Sequence, residues 1–194
     1  MPLRVLSSFA DGPGTLITIE DDGSMEQPVV SGIMYDKNQA KITLKEVPDQ
    51  PGIAANIFEP IAAAGLSVDM IIQNISAEGH TDLSFTLGRE ELDETMTIME
   101  KVAKKIHAVN VSADSKIAKI SIVGAGMRSH SGVAAKIFKS LSKENINILM
   151  ISTSEIKVSC IIEQKHTKVA VNALHKAFGL EKKAVRKKSI TKKK

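Results

Sequence analysis

The sequence predicts an α+β fold made of two copies of one small unit, because a stretch of 24 residues occurs twice. Residues 52–75 (GIAANIFEPIAAAGLSVDMIIQNI) match residues 132–155 (GVAAKIFKSLSKENINILMISTSE) at a constant offset of 80 residues, most closely at their apolar positions. This offset lies far above the roughly 20–50-residue periods of solenoid proteins. The repeat therefore indicates a duplicated compact domain and not a stacked array.

Both copies contain the same series of predicted elements. In the first copy Ile53, Ile57 and Ile61 recur at helical spacing, Asp49 is the predicted N-terminal cap, and Gly65 ends the helix. The other elements up to the second helix of that copy are strands at 28–35, 41–47, 68–76 and 81–87 and a helix at 90–106. The second copy is predicted to have strands at 117–123, 147–153 and 157–163 and helices at 131–143 and 166–178, with Val169, Ala173 and Leu174 directed inward.

The order of elements in each copy is one strand short of the ferredoxin-like βαββαβ plan. Residues 109–113 are expected to supply the missing strand of the first copy. The second copy ends in lysines, so the strand at 28–35 is expected to complete its sheet. The predicted domains are therefore 40–113 and 28–36 plus 116–180, with the first inserted in the second through this N-terminal strand.

Both ends of the chain fall outside the repeat. Residues 1–24, which include the turn sequence DGPG, are interpreted as a pendant hairpin or as the end of another domain. Residues 181–194 carry eight Lys or Arg against one Glu, and we expect a solvated, disordered tail.

Composition narrows the functional classes. The chain is 43% hydrophobic and 25% charged, as globular proteins are, and it has no apolar run near the ~20 residues that span a bilayer. The single cysteine, Cys160, lies in the apolar run VSCII and is expected to be a buried structural thiol in a protein of the reducing cytoplasm. A nucleic-acid-binding domain that uses the sheet and the basic tail is one alternative function. Five Phe, one Tyr and no Trp provide little surface for stacking bases, so nucleic acid is not the favoured partner.

A search for catalytic chemistry gives one alternative function. The five His have no metal-ligand spacing with Cys or carboxylates, so neither a catalytic residue nor a metal site is predicted. Residues 123–127 (VGAGM) join a predicted strand to a helix, as in a dinucleotide-binding oxidoreductase. Position 150, where the ribose-binding acid would be expected about 20 residues on, is Met, so a tight strand-to-helix turn is the favoured interpretation.

The start of the first repeated helix is the better candidate for a ligand site. The first N–H groups of a helix have no partner within it, and the helix dipole attracts anions, so a carboxylate could bind beside Gly52. Asp49 or Asp69 could hold an amino group. Polar side chains end the neighbouring predicted strand at 73–76 (QNIS) and its counterpart at 152–155 (STSE), which suits a small zwitterion. The plainer alternative is that Asp49 only caps the helix and that the strand-end residues only form turns.

Several long motifs resemble a known family. They are VPDQPGIAANIF, VDMIIQNIS, TDLSFT, VGAGMRSHSGVAAKIF, NINILMISTSEIKVSCII and ALHKAF. Together they resemble the C-terminal regulatory region of bacterial aspartate kinase, a tandem pair of amino-acid-binding ACT domains. In that family lysine, threonine or both bind at interfaces between ACT domains and inhibit the phosphorylation of aspartate, the first step towards lysine, threonine and methionine.

The resemblance implies an effector site drawn from both copies. The implied residues of the first copy are Asp49, Gly52, Ile53, Ala54, Asp69, Gln73, Asn74 and Ser76. Those of the second copy are Asn147, Ile148, Ser152, Thr153, Ser154 and Glu155. Residues 128–131 (RSHS) replace the DQP sequence of the first copy, so the equivalent pocket at Gly132 is expected to have lost its ligand.

The resemblance also implies partners. A homodimer through the ACT domains is expected, and a catalytic aspartate kinase subunit is a further possible partner. The KFGGT-type motif of the kinase domain is absent from the chain, so no phosphoryl transfer is expected from it alone. ATP and Mg are expected only in a kinase domain. The sequence leaves open whether this is a natural small regulatory subunit or a shortened form of a longer protein.

Overall fold

The computed structural model describes residues 3–6, 15–17, 29–74, 79–125, 127 and 132–183. Its strands are β1 (Leu3–Val5), β2 (Thr15–Ile17), β3 (Gly32–Pro48), β4 (Ile71–Gln73), β5 (His80–Gly88), β6 (Asn110–Val123), β7 (Met150–Thr153) and β8 (Lys157–Glu163). Its α-helices are α1 (Ile53–Ala63), α2 (Leu92–Ile106), α3 (Val133–Lys143) and α4 (Thr167–Phe178). The helix predictions were therefore close, with errors of one or two residues at their starts.

Two strands run through both copies and join them. The main sheet has the order β4-β5-β3-β6-β8-β7, and its neighbouring strands are antiparallel. The first part of β3 pairs with the last part of β6, from Gly32 opposite Val123 to Asp36 opposite Lys119. The last part of β3 pairs with β5 on one side and with the first part of β6 on the other. Each copy thus has a four-stranded ferredoxin-like sheet that includes the pair β3–β6, as the proposed insertion requires.

The predicted breaks within these two strands were wrong. The polar run at 36–39 does not end β3, because the pairing with β6 shifts register between Asp36 and Gln39 and then continues. The Asp36 carboxylate accepts hydrogen bonds from the Asn38 N–H and from Gln39 Nε2, both at 2.8 Å, and these bonds stabilise the irregularity. Likewise, 109–113 and 117–123 belong to one strand, β6. An irregularity of this kind disturbs the pairing locally, and the strand continues beyond it although the sequence there is polar.

Each copy packs two helices on one face of the sheet around its own apolar core. In the first copy Ile53, Ile57 and Ile61 of α1 are buried as predicted, and α2 buries Met99 and Val102. In the second copy Ile137 and Leu141 of α3 pack with Ala170 and Leu174 of α4. Val169 was expected to face inward, but it is 45% exposed, because the buried stripe of α4 passes through its neighbour Ala170.

Cys160 is a free thiol in the protein core. Cys160 lies on β8 in the core of the second copy, with none of its surface exposed. Burial raises the pKa of its thiol to about 11, so the thiol stays protonated at neutral pH. The predicted buried position is confirmed.

Because β3 and β6 belong to both copies, we expect the copies to unfold together. Ile57→Ala in the first core and Ile137→Ala in the second should each lower the free energy of unfolding by about 2–5 kcal/mol, since each opens a cavity at a fully buried site. Tyr35, the only tyrosine, lies on the part of β3 that belongs to the second copy. Its fluorescence and the far-UV circular dichroism should give coincident unfolding curves for both variants. Separate transitions in Ile57→Ala would contradict this coupling.

Candidate functional site

The N-terminus of α1 has N–H groups that no described residue accepts. The helix is preceded by Gly52, whose φ of 89° places it in the left-handed region, and no side chain caps the helix. The Ile53 N–H donates to the Gln50 carbonyl at 3.3 Å, and the Asn56 N–H donates to the Gly52 carbonyl at 3.0 Å. The N–H groups of Ala54 and Ala55, both exposed residues, lie between them without an acceptor among the described residues. The first turn holds no acidic residue that would neutralise the positive end of the helix dipole.

Asp49 does not cap this helix, so that prediction was wrong. The positive φ of Gly52 turns the chain sharply before the helix begins, and the cap position falls on Gly52. The backbone N–H of Asp49 donates to the Gly79 carbonyl at 2.9 Å, and Asp49 itself is exposed. Its carboxylate is therefore available to solvent or a ligand, although its role in binding stays a prediction.

The sheet brings Gln73 and Asn74 to the same end as this helix N-terminus. β5 is antiparallel to both β3 and β4, with His80 opposite Pro48 and Leu83 opposite Gln73. Gln73 and Asn74 are exposed. Ser76, another predicted site residue, lies outside the described residues.

Asp69 lies at the opposite end of β4. Its N–H donates to the Thr86 carbonyl at 2.8 Å, and its carboxylate forms an ion pair with Lys119 of β6. Asn74 follows Asp69 by five positions, which in an extended chain corresponds to roughly 16 Å at about 3.3 Å per residue. The fold therefore does not bring Asp69 to the N-terminus of α1 in the same chain. Lys119 was not among the predicted site residues.

The predicted residues of the second copy belong to the other edge of the sheet. Asn147 and Ile148 line a cavity of about 360 Å³ between the end of α3 and the segment before β7, together with Phe138, Ser142, Asn145 and Ile146. Ser152 and Thr153 end β7, the Ser154 N–H donates to the Lys157 carbonyl at 2.7 Å, and Glu155 is exposed. β4 and β7 are the two outer strands of the six-stranded sheet, so the two sets of residues are on different edges of one chain.

The backbone at the start of α3 repeats that of α1. Gly132 has φ 92°, and the Lys136 N–H donates to its carbonyl at 2.9 Å. The described backbone therefore does not distinguish the two helix starts. The substituted residues 128–131 lie outside the described residues.

The glycine loop at 123–127 packs against the protein's own backbone. A Cβ on Gly124 would lie 2.1 Å from the Val29 carbonyl oxygen, and the Gly124 N–H donates to the Ile156 carbonyl at 2.9 Å. A glycine is needed here because of this close approach, which supports the interpretation as a tight turn and not the dinucleotide alternative. Gly126 lies outside the described residues.

The described part of the chain does not support a metal site, a membrane-spanning helix or a base-stacking surface. Within it, no group of three or more His, Cys, Asp or Glu side chains is placed to hold a metal ion. No helix among the described residues is long and apolar enough to cross a membrane. Phe85 of β5 is fully buried, so it is not available for base stacking.

Comparison with known proteins identifies the class of both copies. ACT-domain family models match residues 42–104 and 120–178, which lie within the two predicted domains. The chain is thus a tandem pair of ACT domains.

Comparison with longer relatives and solved structures identifies the family. The chain is 56% identical over 181 residues to an aspartate kinase of Pseudomonas fluorescens, covering 93% of this chain but 44% of that protein. It resembles a solved structure of aspartokinase alpha and beta subunits, with 51% identity, a TM-score of 0.74 and coverage of 77% of this chain and 99% of that one. The ligand-free regulatory subunit of Thermus thermophilus aspartate kinase gives 38% identity, the same TM-score and the same coverage. The chain belongs to the aspartate kinase family as its regulatory ACT-domain part.

The packing of Gly124 can be tested against that of Gly32, a glycine with room for a side chain. Gly124→Ala should destabilise the fold by about 3 kcal/mol or more, because its methyl group would overlap the Val29 backbone. Gly32→Ala should cost less, since its methyl group would approach only Val123 Cγ2, at 3.9 Å. Urea unfolding of both variants measures the difference. Equal stabilities would contradict the close packing at Gly124.

Proposed function

We propose that this chain senses an amino acid of the aspartate family, lysine and/or threonine, and regulates the phosphorylation of aspartate by feedback inhibition. The observation that supports it most is the N-terminus of α1, where no side chain caps the helix and the first turn holds no acid. The N–H groups of Ala54 and Ala55 have no acceptor among the described residues. Such a helix end is suited to a carboxylate. The membership of the aspartate kinase family then suggests which amino acids would provide that carboxylate.

The ligand would be held by both of its charged groups. Its carboxylate would accept hydrogen bonds from the Ala54 and Ala55 N–H groups, and Gly52 leaves the approach open because a Cβ there would meet no atom within 4 Å. Its ammonium group would face the exposed carboxylate of Asp49, and Gln73 and Asn74 would offer polar groups from the neighbouring strand end. Opposite charges held at matching positions provide recognition of a zwitterion.

The complete site would form between two copies of the chain. β4 and β7 are outer strands with exposed apolar residues, Ile71 at 49% and Ile151 at 41%. Unpaired strand edges of this kind favour association with another strand. If β4 of one copy paired antiparallel with β7 of another, Asn147 and Ile148 of the second copy would lie next to Gln73 and Asn74 of the first. The site residues that one chain keeps on different edges would then meet.

Regulation would require a catalytic domain. The chain spans 44% of the length of the Pseudomonas fluorescens relative, so activity belongs to a larger protein or assembly in this proposal. The aspartokinase alpha and beta subunit structure suggests a separate catalytic subunit as one possible partner. ATP and Mg would bind in the catalytic domain, and the assembly would work in the cytoplasm. The effector would inhibit by binding one of two arrangements of the assembly more tightly than the other.

Titration calorimetry with lysine and with threonine tests the proposal. We expect at least one of them to bind the wild-type chain, and Asp49→Ala to weaken that binding by about tenfold or more through loss of the partner for the ammonium group. The circular dichroism of Asp49→Ala should be unchanged, because its side chain does not cap α1.

Asp93→Ala is the matched control, since Asp93 is an exposed acid in the first turn of another helix, α2. It should bind the amino acid like the wild type. Absence of heat with either amino acid from a folded wild-type dimer would overturn the proposed function. Unchanged affinity in Asp49→Ala would remove Asp49 from the site.

A further inference from the structure

The Asp69–Lys119 ion pair connects the edge of the first ACT domain to the central strand of the second. Asp69 directly precedes Met70 and β4, and Lys119 lies on the part of β6 that pairs with β8. The Lys119 side chain is 18% exposed and that of Asp69 is 37% exposed, so the pair is partly shielded from water. A contact of this kind is stronger than one between fully exposed charges, because the solvent screens it less.

The backbone on the Asp69 side is held firmly to the neighbouring strand. Thr86, a fully buried residue of β5, exchanges backbone hydrogen bonds with this segment: its carbonyl accepts from the Asp69 N–H at 2.8 Å, and its N–H donates to the Met70 carbonyl at 2.9 Å. The Thr86 hydroxyl lies 3.1 Å from the Met70 N–H and accepts from it. The Asp69 carboxylate therefore projects from an anchored position, and its partner fixes that position against the second domain.

An apolar cluster beside the ion pair gathers residues from both domains. It is formed by Met70, Ile117, Met150 and Ile161, with Ile72 and Leu149 packed against it. Met70 and Ile72 belong to the edge segment of the first domain, and Leu149 and Met150 to that of the second. Ile117 lies two residues before Lys119 and so faces the same side of β6. Both edge segments thus contribute side chains to one cluster, and the ion pair joins two residues that are close to it in sequence.

Comparison of the two repeats shows that the β4 edge has this ion pair and that the β7 edge has no equivalent within the described part of the chain. At the offset of 80 residues, Leu149 corresponds to Asp69, and the sequence AKI at 40–42 and again at 118–120 makes Lys41 the counterpart of Lys119. Leu149 is uncharged and packs against the apolar cluster, and Lys41 forms no ion pair among the described residues. The equivalent positions therefore cannot form an ion pair. The charged connection is a property of the β4 edge alone, the edge that carries Gln73 and Asn74.

We propose that Asp69 is a positioning residue: its ion pair with Lys119 fixes the start of β4 against the second ACT domain and so keeps Gln73 and Asn74 in the geometry that binds the effector. The role is indirect for two reasons. The Asp69 carboxylate is already paired with Lys119, and Asp69 lies at the other end of β4 from the N-terminus of α1. This inference rests on the proposed function for the identity of the ligand, but not for the connection between the domains.

Effector affinity in four variants separates this role from direct ligand binding. Asp69→Asn and Lys119→Met should each weaken binding of lysine or threonine by about three- to tenfold, and the double variant should be no weaker than either single one. Lys119→Arg should restore near wild-type affinity, because arginine keeps the charge and the pairing. If Asp69 held the ligand directly, Lys119→Met would free its carboxylate and bind as tightly as the wild type or more tightly, which would overturn the inference.

Lys41→Met is the matched control. Lys41 is a half-buried lysine of β3 that forms no ion pair among the described residues, so its loss should leave affinity unchanged. A loss as large as that of Lys119→Met would attribute the effect to general destabilisation and would contradict the proposal.

Hydrogen exchange provides a readout that needs no ligand. The amides of Ile71–Gln73 should exchange about tenfold faster in Lys119→Met than in the wild type, and Lys41→Met should leave them unchanged. Unaltered exchange in Lys119→Met would overturn the positioning role even if lysine or threonine binds. Failure of both amino acids to bind, with faster exchange at β4, would instead count against the proposed function alone.

Discussion

The pairing of β3 with β6 is the constraint on which the rest of this structure depends. Each strand begins in one ACT domain and ends in the other, so neither four-stranded sheet is complete without the shared pair. Two small domains joined by a flexible linker could turn independently, whereas two domains that share their central strands cannot do so without breaking the hydrogen bonds of the sheet. The shared pair therefore joins the two domains in one continuous sheet.

This arrangement also separates the predicted site residues within one chain. The shared pair lies in the middle of the sheet, and the strands that carry the predicted site residues, β4 and β7, are forced to its two outer edges. The helix N-terminus that could hold a carboxylate lies beside β4, and the cavity lined by Asn147 lies beside β7. In the proposed function, association of copies through these edges brings the two sets of residues together, and ligand binding would then depend on assembly.

Much of the fold could be predicted from the sequence because the repeat preserves apolar spacing. Ile53, Ile57 and Ile61 lie on one face of a helix in any environment, and their counterparts do so again 80 residues later. The continuity of β3 could not be predicted, because it depends on pairing with the distant strand β6 on both sides of the register shift that begins at Asp36. The ion pair between Asp69 and Lys119 could not be predicted either, since it joins residues 50 positions apart in the sequence. The capping role of Asp49 was predicted from residue preference and failed because a glycine with positive φ took that position.

The central claim is that an amino acid binds where the N-terminus of α1 in one copy meets the segment before β7 in another. A crystal structure of the chain grown with lysine or threonine tests it most directly. The account predicts a ligand whose carboxylate lies within hydrogen-bonding distance of the Ala54 and Ala55 N–H groups and which contacts Asn147 or Ile148 of a second copy. A ligand bound away from α1, or held entirely within one chain, would contradict it.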